Sequence, residues 1–125
     1  MKPTILVIED DPMASRLVAL MLSNAGYQVV SASNGPQGLD MAQDSPPDLV
    51  LLDLMLPGPD GFDVLNQLRA EPRTASMPVI VVSSKSQLTD KQTASRIGAN
   101  AYLTKPYKRP ELLEIIRSLL NEKLE

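Results

Sequence analysis

The sequence predicts a doubly wound α/β domain, a five-stranded parallel sheet with five helices packed on both of its faces. Five short apolar runs alternate with five amphipathic stretches along the 125 residues, the pattern that strand-helix repeats leave in a chain. Runs such as Ile5-Leu6-Val7-Ile8 and Leu49-Val50-Leu51-Leu52 are apolar at every position, as strands covered from both sides must be. All eleven prolines fall outside these runs, so the residue type least tolerated in a sheet interior leaves the assignment intact.

The first strand is expected at Thr4 to Ile8 and runs out into Glu9-Asp10-Asp11. Pro12 stands in a first-turn position of the helix that follows, which Gly26 closes with a left-handed cap. Gln28 to Ala32 forms the second strand, and Ser31 and Ser33 mark it as an edge. Pro36 opens the next helix. The third strand, Leu49 to Leu52, ends at Asp53, and the fourth, Val79 to Val82, ends at Ser83-Ser84; with the first, these are the central strands. Gly98 caps the helix that leads to the fifth strand, Ala101 to Thr104, which ends at Lys105-Pro106. Pro110 opens the last helix, where Leu112, Ile116 and Leu119 share a core-facing stripe and Ile115, at its margin, reads either as exposed or as semi-buried. The length suits one domain over residues 1–125 with a single core, without repeat or interdomain linker. Leu124-Glu125 reads either as native helix or as a scar left where a longer protein was cut.

Cys and His are both absent, which removes disulfides, thiol nucleophiles, the commonest general base and the usual zinc ligands. Carboxylates, hydroxyls, Lys and Tyr remain, so any metal is expected to be a hard ion held by oxygen. A net charge of −3 without a basic stripe gives no reason for direct nucleic-acid binding. The longest apolar stretch, Leu49 to Leu56, is interrupted by Asp53 and is far short of the ~18 residues that mark a membrane span. No signal-peptide core follows Met1, and a cytoplasmic location is expected.

In open parallel α/β sheets, ligands bind beyond the carboxyl ends of the strands, where strand order reverses. Four of the five strands deliver a polar group to that edge: Glu9-Asp10-Asp11, Asp53, Ser83-Ser84 and Thr104-Lys105. Crowded carboxylates repel unless a cation intervenes, and Mg²⁺ takes one or two carboxylates, waters and a phosphate. Taken singly, these residues have plainer readings. Asp11 before Pro12 suits a helix N-cap as well as a ligand, Ser83 a strand-end hydroxyl bonded to backbone, and Lys105 a solvated surface lysine. Asp53 is different, because a carboxylate between two leucine runs is costly to bury without a partner or a function. Their joint occurrence at consecutive strand ends points to a metal-assisted phosphate site.

Glu-Asp-Asp-Pro after the first strand, Asp-Leu-Met-Leu-Pro-Gly-Pro-Asp-Gly-Phe from Asp53, Ser-Ser-Lys after the fourth strand and Gly-Ala-Asn-Ala-Tyr-Leu-Thr-Lys-Pro-Tyr around the fifth resemble the receiver domains of bacterial response regulators, the chemotaxis-regulator-like proteins of two-component systems. The resemblance spans the whole chain, with intervals of 43, 30 and 22 residues between Asp10, Asp53, Ser83 and Lys105. It implies a flavodoxin-like topology with strand order 2-1-3-4-5. It further implies that Asp53 is the phosphoryl acceptor, that Glu9, Asp10, Asp53 and the backbone carbonyl of Met55 hold Mg²⁺, with Mn²⁺ as an alternative, and that Ser83 and Lys105 contact the phosphoryl group. A cis Lys105-Pro106 bond is implied, against a background of about 5% for bonds to proline. Tyr102, outward on the fifth strand, becomes the aromatic switch that follows Ser83.

The implied partners are a histidine kinase or phosphotransfer protein as donor, and a downstream protein or attached output domain on the face formed by the fourth helix, fifth strand and fifth helix. Any catalysis would be of the domain's own phosphorylation and dephosphorylation, in the service of signalling. Receivers similar to the winged-helix transcription-factor subfamily carry charged residues where Asn100, Ala101 and Ile115 stand, so a salt-bridged dimer is not expected on that face. Ser84 departs from the commoner Ala or Gly, which narrows access to Asp53; Met55 and Lys85 occupy variable positions that influence phosphoryl lifetime. Three rivals share parts of the pattern. A phosphohydrolase with an Asp nucleophile wants a second Asp at position 55, a flavin-binding domain wants a hydroxyl-rich phosphate loop after the first strand, and an interaction module without phosphorylation would not need the full acidic set.

Overall fold

The structure, a computed structural model, describes residues 2–85 and 87–124, leaving the side chains of residues 122–124 outside the description. The elements alternate as expected: β1 (Thr4–Ile8), α1 (Pro12–Asn24), β2 (Gln28–Ala32), α2 (Gly35–Asp44), β3 (Leu49–Asp53), α3 (Gly61–Ala70), β4 (Val79–Ser83), α4 (Leu88–Ile97), β5 (Ala101–Thr104) and α5 (Arg109–Leu124). All pairings are parallel in the order β2-β1-β3-β4-β5. Two strands extend one residue further than the sequence suggests, so Asp53 and Ser83 lie within the ladder as last residues, beside Val82 and Thr104 respectively.

Every residue of β3 and β4 is buried, because helices cover both faces. Alternate residues still divide between two layers. Leu6, Ile8, Val50, Leu52, Val79 and Val81 pack with Leu39, Val64, Leu65, Leu68 and Ala94 of α2, α3 and α4. Ile5, Val7, Leu49, Leu51, Ile80 and Val82 pack with Leu22 of α1 and Leu112, Ile116 and Leu120 of α5. Leu120, rather than Leu119, completes the deep stripe of α5: the buried positions follow a spacing of four, and Leu119 is left half-buried at the margin. Ile115 is half-buried against the same cluster, which favours its core reading over full exposure.

The caps agree with the sequence. Pro12, Pro36 and Pro110 lie in first turns, and Gly26 and Gly98 have φ of 98° and 126°. Helix α3 begins with a reciprocal capping box between Asp60 and Asp63. Helix α4 has no side-chain cap, and Ala94 is its buried residue.

At the amino end of the sheet, side chains staple neighbouring strands. The Thr4 N–H donates to Asp48 Oδ2 at 2.7 Å, and the Val79 N–H donates to Asn100 Oδ1 at 2.8 Å. Arg69 of α3 adds donors to the Gly98 carbonyl at 3.1 and 2.8 Å, to the carbonyls of Thr74 and Ala75, and to Asn100 Oδ1. One guanidinium thereby ties α3, the α3–β4 connection and the end of α4 together.

Candidate functional site

The opposite, carboxyl end of the sheet gathers the charged residues. Glu9 leaves β1, Asp53 ends β3 and Lys105 leaves β5; the ammonium of Lys105 lies 3.0 Å from Glu9 Oε1 and 3.0 Å from Asp53 Oδ2. Glu9 and Asp53 are 8% and 6% exposed, an unusual burial for carboxylates that the shared lysine makes tolerable. Asp53 Oδ1 accepts the Met55 N–H at 2.8 Å, which fixes the carboxylate plane. Glu9 Oε2 accepts the Asp11 N–H at 3.2 Å.

Burial pushes the Glu9 carboxyl above its usual range, against the opposing pull of Lys105 and the Asp11 N–H, with Asp53 adding repulsion. Burial pulls Lys105 down, but its hydrogen bonds and charge interactions with Asp53 and Glu9 prevail and hold the ammonium above its ordinary value.

Glu9, Asp10 and Asp53 each offer a carboxylate oxygen, and these three oxygens lie within 4.8 Å of one another. Three hard anionic donors converge at one point in a chain without His or Cys, which fits a divalent oxygen-seeking cation and does not fit zinc chemistry. Asp11 stands apart. Its Oδ1 accepts the Met13 N–H at 3.2 Å and caps α1, so the plainer of its two readings holds.

Ser83 is fully buried, and its Oγ accepts the Lys85 N–H at 3.0 Å. Tyr102, half-buried on β5, donates its hydroxyl to the Lys85 carbonyl at 2.8 Å. The two residues that sequence reasoning pairs as a switch thus hold one backbone residue from its two ends. No sequence signal marks this link, because any residue at position 85 supplies the same N–H and carbonyl. The Lys105-Pro106 bond is cis, and the Lys105 N–H donates to the Ser83 carbonyl at 2.8 Å.

Met55, two residues beyond Asp53, is half exposed, and its Sδ receives the Ser84 hydroxyl at 3.5 Å. Beside the site, α1 presents Met13, Leu17 and Leu20 to solvent. Leu17 shares a groove with Val18, Met21, Pro106 and Tyr107.

This geometry agrees with what comparison with known proteins finds. Residues 5–117 match the model of the response regulator receiver domain. The chain belongs to that family. This receiver domain is 46% identical to the DNA-binding dual master transcriptional regulator RpaA of Synechocystis sp., over 94% of its own length and 49% of the relative's. It is 40% identical to protein PilH of Pseudomonas aeruginosa, over 93% of its own length and 96% of the relative's. The chain therefore spans about half of the first relative and nearly all of the second. Among solved structures, the receiver domain of a sensor histidine kinase from Pseudomonas aeruginosa superposes with a TM-score of 0.89 at 30% identity, covering 97% of this chain and 99% of that one. That crystal structure holds a magnesium ion coordinated in its active-site cleft. Among the described residues of this receiver domain, no helix is long and apolar enough to cross a membrane.

Proposed function

We propose that Asp53 accepts a phosphoryl group from a histidine kinase or phosphotransfer protein, in a reaction that requires Mg²⁺, or Mn²⁺ in its place. The observation that carries this reading is the buried Asp53 carboxylate at a strand end, paired with Lys105 and grouped with Glu9 and Asp10. Glu9, Asp10 and Asp53, with the Met55 carbonyl, would hold the ion; when bound, it supplies positive charge for the phosphoryl oxygens. The protein's own residues do the positioning. An Asp53 oxygen forms the new bond to phosphorus as the bond to the donor nitrogen breaks, and the Met55 N–H keeps the carboxylate oriented. Lys105, already 3.0 Å from Asp53, shifts to an incoming phosphoryl oxygen and neutralises its charge.

Once the phosphoryl group is in place, the Ser83 hydroxyl turns to it and gives up the Lys85 N–H. The loop then loosens, and Tyr102, tied to the Lys85 carbonyl, changes position with it. The readout is altered affinity on the face formed by α4, β5 and α5, for a downstream protein or an attached output domain. A protein of this kind works in the cytoplasm, where kinase and output meet, and contacts nucleic acid only through such a partner.

Intact-mass measurement after incubation with acetyl phosphate tests the reading. Labelling should need Mg²⁺ and vanish in Asp53→Ala. Equal labelling of that variant, or labelling indifferent to chelator, would remove Asp53 from the role.

A further inference from the structure

Met55 lies two residues beyond Asp53 and is 50% exposed, while its neighbours Leu54 and Leu56 are 3% and 6% exposed. Its N–H is fixed on Asp53 Oδ1 at 2.8 Å, and its sulfur receives the Ser84 hydroxyl at 3.5 Å. Met55 is therefore tied to the acceptor carboxylate by its backbone, while its half-exposed thioether meets the Ser84 hydroxyl. Among the other described methionines, Met77 is buried, Met21 and Met41 are half-buried, and Met13, 65% exposed, sits on α1. Exposure of the thioether governs how readily sulfur is oxidised, so Met55 combines reactivity with proximity to the site.

We infer that Met55 is an oxidation site through which a peroxide or hypochlorite-class oxidant shortens the lifetime of the phosphoryl group on Asp53. This rests on Asp53 as the acceptor. With hydrogen peroxide, sulfur supplies two electrons, the O–O bond breaks, an S–O bond forms and water leaves; the products are the sulfoxide and water. The change replaces an apolar, weakly accepting sulfur with a strong hydrogen-bond acceptor, and the Ser84 hydroxyl moves from sulfur to the new oxygen. A side chain with little affinity for water now binds it, two residues from the acyl phosphate that water hydrolyses. Methionine sulfoxide reductases reverse the modification, so the effect is reversible in kind.

The test treats the full chain with hydrogen peroxide, maps sulfoxides by peptide mass, loads Asp53 from acetyl phosphate with Mg²⁺ and follows loss of the phosphorylated mass. Each variant is compared with its own unoxidised form, so its intrinsic rate does not enter. Decay should accelerate at least about threefold on oxidation, return to the starting rate after methionine sulfoxide reductase, and accelerate equally in Met13→Leu. Equal acceleration in Met55→Leu, or unchanged decay with Met55 shown oxidised, would overturn the inference. Failure of the unoxidised protein to label at all is a separate result, which removes the acceptor reading and the inference together.

Discussion

Gly61 shows how closely single residues are held at this site. A β-carbon there would lie 2.4 Å from Leu54 Cα and 2.8 Å from the Asp53 carbonyl oxygen, both backbone atoms that cannot swing away. The Gly61 N–H donates to the Leu54 carbonyl at 2.9 Å, so α3 starts directly against the turn that carries Asp53. Gly61→Ala should lower stability by about 1–3 kcal/mol through overpacking and slow labelling of Asp53. A denaturation midpoint equal to wild type would show that the backbone here yields. Glu9 makes a prediction in pH. Its carboxyl binds a proton more tightly folded than unfolded, so its contribution to stability is lost as pH rises above the ordinary value of 4.5. In chelator, Glu9→Gln should therefore melt higher than wild type at pH 7, with the difference shrinking as pH falls toward 4.5. A gap that widens on acidification would reverse the sign assigned to this burial.

At the scale of elements, α1 and α4 differ from the rest in burying one residue each, Leu22 and Ala94. Helix α1 is anchored by Leu22, with Val18 and Met21 partly buried beside it, and turns Met13, Leu17 and Leu20 outward next to the site. On the proposed phosphotransfer reading, a protein donor approaches Asp53 from the carboxyl edge, where Leu17 lines a groove with Lys105 and Tyr107. Leu17→Glu should leave stability within about 0.5 kcal/mol of wild type, as exposed substitutions do. It should cut phosphotransfer from a protein donor several-fold and spare labelling by acetyl phosphate. Equal loss with both donors would place the effect at Asp53 instead of at docking. The elements themselves were legible in the sequence because strand runs, prolines and cap glycines act locally. The distinction between Leu119 and Leu120 was not, since a stripe of three-to-four spacing fits both and only the packed helix angle chooses. Within the site, the carboxylates and Lys105 could be read from the strand ends. The Ser83-Lys85-Tyr102 link could not, because it runs through backbone groups. Nor could Arg69, whose five bonds go to backbone carbonyls and an asparagine side chain outside its own helix.

Across the whole molecule, the two ends of the sheet carry different loads. The side-chain staples of Asp48, Asn100 and Arg69 join the amino ends, and the carboxylates, Ser83 and Lys105 crowd the carboxyl ends, a strand's length of roughly 15 Å away. Asn100→Ala deprives the Val79 N–H of its acceptor and should lower stability by about 1–3 kcal/mol. The labelling rate of Asp53 at 25 °C should stay within a factor of two. A proportionate fall in labelling would mean that the ends are coupled through the strands. With distant sites contributing additively, the two rims can be edited as separate modules. A thermostable amino rim could be grafted beneath an unchanged reactive rim, and substitutions could accumulate in the one while the other keeps its chemistry.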